Sequence, residues 1–218
     1  GFAGAVLMKH VWLRIAVFLV ALGVPLYWLY LGWLLALGPE PGKWLLDHLG
    51  QGAMLLLLVT LAMTPLSRVT GWPLWSAIRR QLGLWSFAYA ALHIACFVLF
   101  ILGAQWSRLP GEVWEHPYVA VGALAFLGML ALALTSNRWS MRRLGVGWKR
   151  LHRLVYPILL LVLLHMLWVV RSDLGLWALY ASVGAALLFC RTPWGKQWLG
   201  RVAARRKGKA KIQTENNR

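Results

Sequence analysis

The sequence is short of charge. Only 13% of its 218 residues are Asp, Glu, Lys or Arg, whereas 60% are hydrophobic. A soluble domain of this size carries about a quarter charged residues to cover its surface. A soluble enzyme of the Rossmann type is therefore excluded, and so is a disordered chain. Two cysteines are too few for a disulfide scaffold. Acidic residues number 6 against 23 Lys and Arg, a formal net charge of +17. In a soluble chain that imbalance would suggest nucleic acid, but its placement gives it another meaning. The alternating segments of about 10 residues that mark a membrane β-barrel are missing too. What remains is an all-α integral membrane protein.

Six apolar runs, each bounded by charge, Pro or Gly, fall at Val11–Leu37, Leu45–Leu66, Leu82–Gly103, Tyr118–Leu134, Leu151–Val170 and Leu174–Cys190. A hydrocarbon core of about 30 Å takes about 20 apolar residues, at about 1.5 Å of rise each. Five runs meet that length and the sixth is marginal at its tail, so the reading is a six-transmembrane-helix bundle. Residues 1–9 form an N-terminal segment, of which Gly1–Leu7 precede Met8 and are either native or appended. Residues 10–191 form the membrane domain, and 192–218 a basic tail. The first run is too long for a signal-peptide core and has no small-residue cleavage site, so it is retained. No internal repeat stands out.

Charge placement orients the bundle. With the N-terminus inside, all Lys and Arg fall in inner segments except Lys43, Arg108 and Arg171. Glu40, Asp47, Glu112, Glu115 and Asp173 all fall outside, leaving only Glu215 within. Such a bias predicts both termini in the cytoplasm, and basic flanks that hold anionic lipid head groups account for the net charge without nucleic acid. Many of the 15 Trp residues stand near span ends as interfacial anchors. Cys96 is mid-span and Cys190 ends the last run, so a bridge is not expected. Neither sits in a Cys-x-x-Cys-His segment, which excludes covalent c-type haem.

The only ionisable side chains deep in these spans are histidines. His10 and His116 read as interfacial or loop residues, and His48 opens the second span. His93 and His165 stand about 12 and 15 residues into the third and fifth spans, about 18 and 22 Å deep. An imidazole in hydrocarbon requires a partner. Two at matched depth on separate helices suit a haem held between them; interhelical hydrogen bonds or a polar cavity would also satisfy them. His152 lies at the inner surface, thirteen residues before His165 and about 140° away around an ideal helix. Pro157 lies between the two and removes one backbone bond, so that a local kink could change this phase. Thirteen residues before His93 stands Arg80, so a second His pair is incomplete. His152 is open to three roles: a second-site ligand, a contact to quinone or flavin, or an interfacial hydrogen bond. Arg79, Arg80, Arg150 and Arg153 are donors for an inner haem or a flavin phosphate. Arg171 and outer Trp N–H groups could serve the propionates of an outer haem. Glu40, Asp47, Glu112 and Glu115 are either a docking face or ordinary loop charge. Buried carboxylates for a proton relay and paired interrupted helices are both missing, which counts against a transporter or scaffold.

The segments Arg79-Arg80-Gln81-Leu82-Gly83-Leu84-Trp85 and Ala91-Leu92-His93 resemble the third helix of the MsrQ (YedZ) family. Leu144-Gly145-Val146-Gly147-Trp148-Lys149-Arg150-Leu151-His152-Arg153-Leu154-Val155-Tyr156 is similar to that family's LGxxWxxLHxxVY pattern, and His165-Met166-Leu167-Trp168 follows at its spacing. Thr64-Pro65-Leu66, His116-Pro117-Tyr118 and Thr135-Ser136 are smaller matches, and the resemblance spans about His10 to Arg191. It implies a ferric-reductase-like membrane fold, non-covalent heme b and FMN association. It further implies electron delivery from the quinone pool or a cytosolic flavin reductase, in the bacterial inner membrane, to MsrP. MsrP is the periplasmic molybdopterin subunit that reduces oxidised methionine in envelope proteins. Carried over by residue, His93 and His165 become the axial pair of the haem iron and His152 a possible second-site ligand. Pro157 departs from the pattern. A ferric-reductase-like protein serving another acceptor is the competing reading; the tail after Cys190 is too short for a reductase domain of its own.

Overall fold

In the computed structural model, residues 2–170 and 174–216 are described, with side chains described for 11–170 and 174–206. Ten α-helices follow in order: α1 Phe2–Trp33, α2 Pro41–Thr70, α3 Leu74–Cys96, α4 Leu109–Glu115, α5 Pro117–Leu134, α6 Arg138–Leu144, α7 Val146–His152, α8 Val155–Val169, α9 Leu174–Phe189 and α10 Pro193–Asn216. A π-helical turn, Phe97–Ile101, prolongs α3. Five spans are long and apolar enough to cross a membrane: Val11–Trp33, Pro41–Thr70, Leu74–Ile101, Pro117–Leu134 and Val146–Val169. The sixth run is α9, 16 residues long among the described residues. It makes a span only together with α10, from which an 85° bend separates it.

Several helices overrun the apolar stretches that announce them. Helix α2 runs on through Arg68, α3 begins eight residues before Leu82, and the fifth span starts at Val146. The hydropathy pattern ends where charge begins, but Arg and Lys are good helix formers whose stems lie along apolar surface. The helix continues into the interface.

Helix α2 is the centre of the bundle. Met54, Leu57, Leu58 and Leu61 on it are buried against Leu159 and Leu163 of α8. Its neighbouring stripe, Leu49 and Ala53, packs on Tyr89 of α3, and Met63 meets Ile78 and Leu82 lower down. Helix α3 lies along α2, α8 along α5, and α3 also touches α5. Outward-facing Leu19, Val20, Leu29, Leu124, Leu127 and Leu160 are exposed, as a lipid-facing surface must be.

Three prolines interrupt the spans, and each leaves a backbone carbonyl without its N–H partner four residues on. Pro25 frees the carbonyl of Ala21, which accepts the Tyr89 hydroxyl at 2.9 Å. Pro65 frees that of Leu61, which accepts Nη2 of Arg191 at 2.8 Å. Pro157 frees that of Arg153, which accepts the Tyr156 N–H at 3.1 Å, and the fifth span breaks there between α7 and α8. The helix is thus broken where the sequence placed a kink. In hydrocarbon such satisfaction is obligatory. Arg191→Ala should cost about 1–3 kcal/mol in detergent unfolding by leaving the Leu61 carbonyl bare. In a Pro65→Ala background the restored N–H should shrink that cost; an undiminished cost would show that the guanidinium acts otherwise.

Arg191 also lies 6.0 Å from the centroid of the Tyr156 ring. Beyond it α10 folds back onto α2 and buries Leu199, so the start of the basic tail is packed. Cys96 and Cys190 are free thiols.

Candidate functional site

His93 and His165 come together. Their ring centroids are 6.3 Å apart and the ring planes perpendicular at 90°. The helix pairs α2–α3 and α5–α8 present them in the same manner. His93 Nδ1 lies 2.8 Å from the carbonyl oxygen of Leu46 on α2. His165 Nδ1 lies 2.7 Å from that of Tyr118 on α5. Each contact makes Nδ1 the protonated donor, and in both cases 47 residues separate histidine from carbonyl. Leu46 and His93 thus recur as Tyr118 and His165 at one common offset: a repeat that side-chain identities hide.

With Nδ1 donating, each ring is fixed as the tautomer whose Nε2 carries a lone pair. Among the described residues neither Nε2 has a hydrogen-bond partner. A single metal bound by two imidazoles at about 2 Å per bond places the ring centroids about 6 Å apart. The observed spacing suits that, and it is also the geometry of an edge-to-face pair of rings. Tyr118 flanks His165 at 6.4 Å and stacks on His116 at 5.7 Å. The π-helical turn starts one turn beyond His93, a distortion that often accompanies functional sites.

The other expected residues gather elsewhere. His152 closes α7 with both nitrogens engaged: Nδ1 3.1 Å from the Trp148 carbonyl and Nε2 3.4 Å from Ser136 Oγ. Its ring stacks on Trp148 at 3.9 Å. Trp148 is itself held by a 2.9 Å bond from Nε1 to the Thr135 carbonyl. Arg79 is a charged neighbour of His152. Arg79, Arg80, Arg150 and Arg153 are exposed at this arginine-rich end. Among the described residues they form no ion pair. Arg79 precedes His93 by fourteen residues, about 21 Å of helix, so the arginines stand apart from the histidine pair. His48 Nδ1 donates to the Trp44 carbonyl, 2.8 Å away, and the ring stacks on Trp44 at 3.6 Å. His116 is paired with Glu112 at 3.4 Å. Glu40 sits in an exposed ion pair with Lys43 and the half-buried Glu112 in one with Arg108, both 3.7 Å. Trp177 Nε1 is committed to the Leu163 carbonyl. Arg171 and Asp173 lie outside the described residues.

Residues 49–163 match the family described as ferric reductase like transmembrane component. The match takes in His93 and His152 and ends just short of His165. Over 171 residues the chain is 43% identical to the protein-methionine-sulfoxide reductase heme-binding subunit MsrQ of Xanthomonas euvesicatoria pv. vesicatoria (strain 85-10), covering 78% of each chain. The chain belongs to the MsrQ family. No solved structure matches it.

For an MsrQ family member the decisive question is whether the two imidazoles fit a haem iron, and they do. Ligating histidines characteristically donate the far ring nitrogen to a carbonyl or carboxylate, which orients the ring and raises its basicity. Both rings here make that bond, to backbone carbonyls that cannot titrate. Two nitrogen ligands would saturate the iron, leaving no position for oxygen or substrate, an arrangement for electron transfer. Sequence reasoning found both histidines and missed the Leu46 and Tyr118 carbonyls that aim them.

Proposed function

We propose that this chain is the membrane b-type cytochrome subunit of a protein-methionine-sulfoxide reductase system, with haem iron held axially by His93 and His165. It lies in the bacterial inner membrane with both termini cytoplasmic, an orientation supported by the arginine-rich inner end. It carries electrons from the quinone pool or a cytosolic flavin reductase to an MsrP-type periplasmic molybdopterin subunit, for repair of oxidised envelope proteins. The observation that carries this reading is the 6.3 Å pair of perpendicular imidazoles, each braced by a carbonyl and each with a free Nε2. A haem bound there supplies one-electron transfer. The chain's own part is to hold the iron rigidly and keep water off it, so that little reorganises when charge moves.

FMN enters from the family resemblance, with Arg79, Arg80, Arg150 and Arg153 as donors to its phosphate. His152 is proposed as a residue of that inner end, where its Ser136 contact of 3.4 Å is long enough to be exchanged for a ligand. The purified membrane protein should be red, and pyridine haemochrome assay with flavin quantitation gives the stoichiometry of both groups. Reconstituted with its reductase partner and a reduced quinone or flavin donor, it should support turnover of methionine sulfoxide. A colourless, folded preparation would return the chain to the transporter or scaffold class.

A further inference from the structure

The side chain of a helical residue leans back over the preceding turn, so residue i+4 covers the carbonyl of residue i. The carbonyls of Leu46 and Tyr118 nevertheless accept an imidazole from the side. Four residues beyond each stands a glycine, Gly50 on α2 and Gly122 on α5. A Cβ on Gly50 would stand 3.0 Å from His93 Nδ1 and 3.1 Å from its Cε1. On Gly122 it would stand 2.8 Å from His165 Nδ1 and 2.9 Å from Cε1. Side-chain atoms separate at about 3.5–4 Å, so neither ring could keep its place. Small residues in membrane helices usually let two backbones approach. Here the atoms that fill the space belong to the histidine rings. Gly83 and Gly184, by contrast, would meet their nearest neighbours at an ordinary 3.5 Å.

We propose that Gly50 and Gly122 are positioning residues of the axial histidines: each opens one backbone carbonyl to one imidazole and sets how far that ring's Nε2 reaches. The inference rests on the haem reading above. A methyl at either position displaces the ring from its carbonyl by at least a few tenths of an ångström. The ring-to-ring spacing already suits one metal, so the ring must swing aside. Losing an orienting partner of a metal-bound histidine typically weakens binding about 10–100-fold. It also makes the imidazole a poorer donor to ferric iron. Any haem that remains therefore has a raised midpoint potential.

The test is Gly50→Ala and Gly122→Ala in the full-length holoprotein, with Gly83→Ala and Gly184→Ala as controls. Haem content, the low-spin ferric EPR signal and the midpoint potential are measured. Expected are haem loss, or retained haem with a shifted EPR signal and a higher potential, in the first pair only. Folded variants with wild-type content, signal and potential overturn the proposal, as do controls that change equally. Gly50→Ala is the milder collision and decides the matter if Gly122→Ala does not accumulate. If neither does, Gly50→Ala/His93→Ala and Gly122→Ala/His165→Ala decide. Recovery locates the collision in the imidazole, and continued failure places it elsewhere and ends the proposal. Wild-type protein without haem, or with haem indifferent to both His→Ala changes, removes the haem reading itself. Wild-type ligation with silent glycine variants removes only this inference.

Discussion

His93→Ala and His165→Ala are each expected to empty the haem site, whereas His152→Ala should leave the Soret band in place. The asymmetry follows from geometry. The first two rings lie 6.3 Å apart with Nε2 free, and His152 stands at the opposite end against Trp148 and Ser136. A non-covalent haem depends on its axial bonds and its apolar slot. If one axial bond contributes only about 3 kcal/mol, its loss weakens retention about a hundred-fold. Purification then removes the group, and turnover with the reductase partner falls to background. His→Gln at either position should not restore it, since an amide is a poor ligand to ferric iron. Soret absorbance per protein, taken before and after dithionite, reads the outcome. Full haem retention in either His→Ala variant would refute the axial pair.

The histidine pair was legible in the sequence because membrane helices punish unpaired polarity so strongly. In an apolar stretch an imidazole stands out, and 1.5 Å of rise per residue converts position into depth. What oriented those rings was not legible. The acceptors are backbone carbonyls, which every residue possesses, so Leu46 and Tyr118 look like ordinary lipophilic positions. Their repetition was hidden for the same reason: the two halves share a carbonyl, a glycine and a histidine, and little else nearby. A search for equal glycine-to-histidine spacings, Gly50 to His93 and Gly122 to His165, would have exposed it. The apolar runs located the spans, since lipid demands that length. Helix ends were read short because Arg68, Arg79 and Arg80 extend helices that hydropathy treats as finished. Pro157 marked the break between α7 and α8. The partners that rescue the carbonyls freed by Pro25 and Pro65, Tyr89 and Arg191, lie 68 and 130 residues from those carbonyls, beyond any local pattern.

Removing the haem should lower stability substantially and unevenly. Helix α3 packs along α2 and α8 along α5, and the two ligands come one from each pair. An iron held between them would join the halves near the end of the bundle opposite the arginines. At that level the two rings lie 6.3 Å apart with both Nε2 atoms unpartnered, and no apolar contact replaces a ligand there. A ligand bound only by the folded state, present at a thousandfold excess over its Kd, stabilises by about 4 kcal/mol. For a chain of this size that is about 10 °C in Tm. The loss should be localised. The arginine-rich end keeps the Arg191–Leu61 bond and the Met54–Leu61–Leu159 core, neither of which involves the histidines. Apo protein should thus exchange amide hydrogens faster in α8 around His165 and in the π-helical turn after His93. Protection should persist in the half of α2 that carries Leu57, Leu58 and Leu61. Uniform loss of protection along α2, or an unchanged melting temperature, would mean that the two halves are held together without the metal.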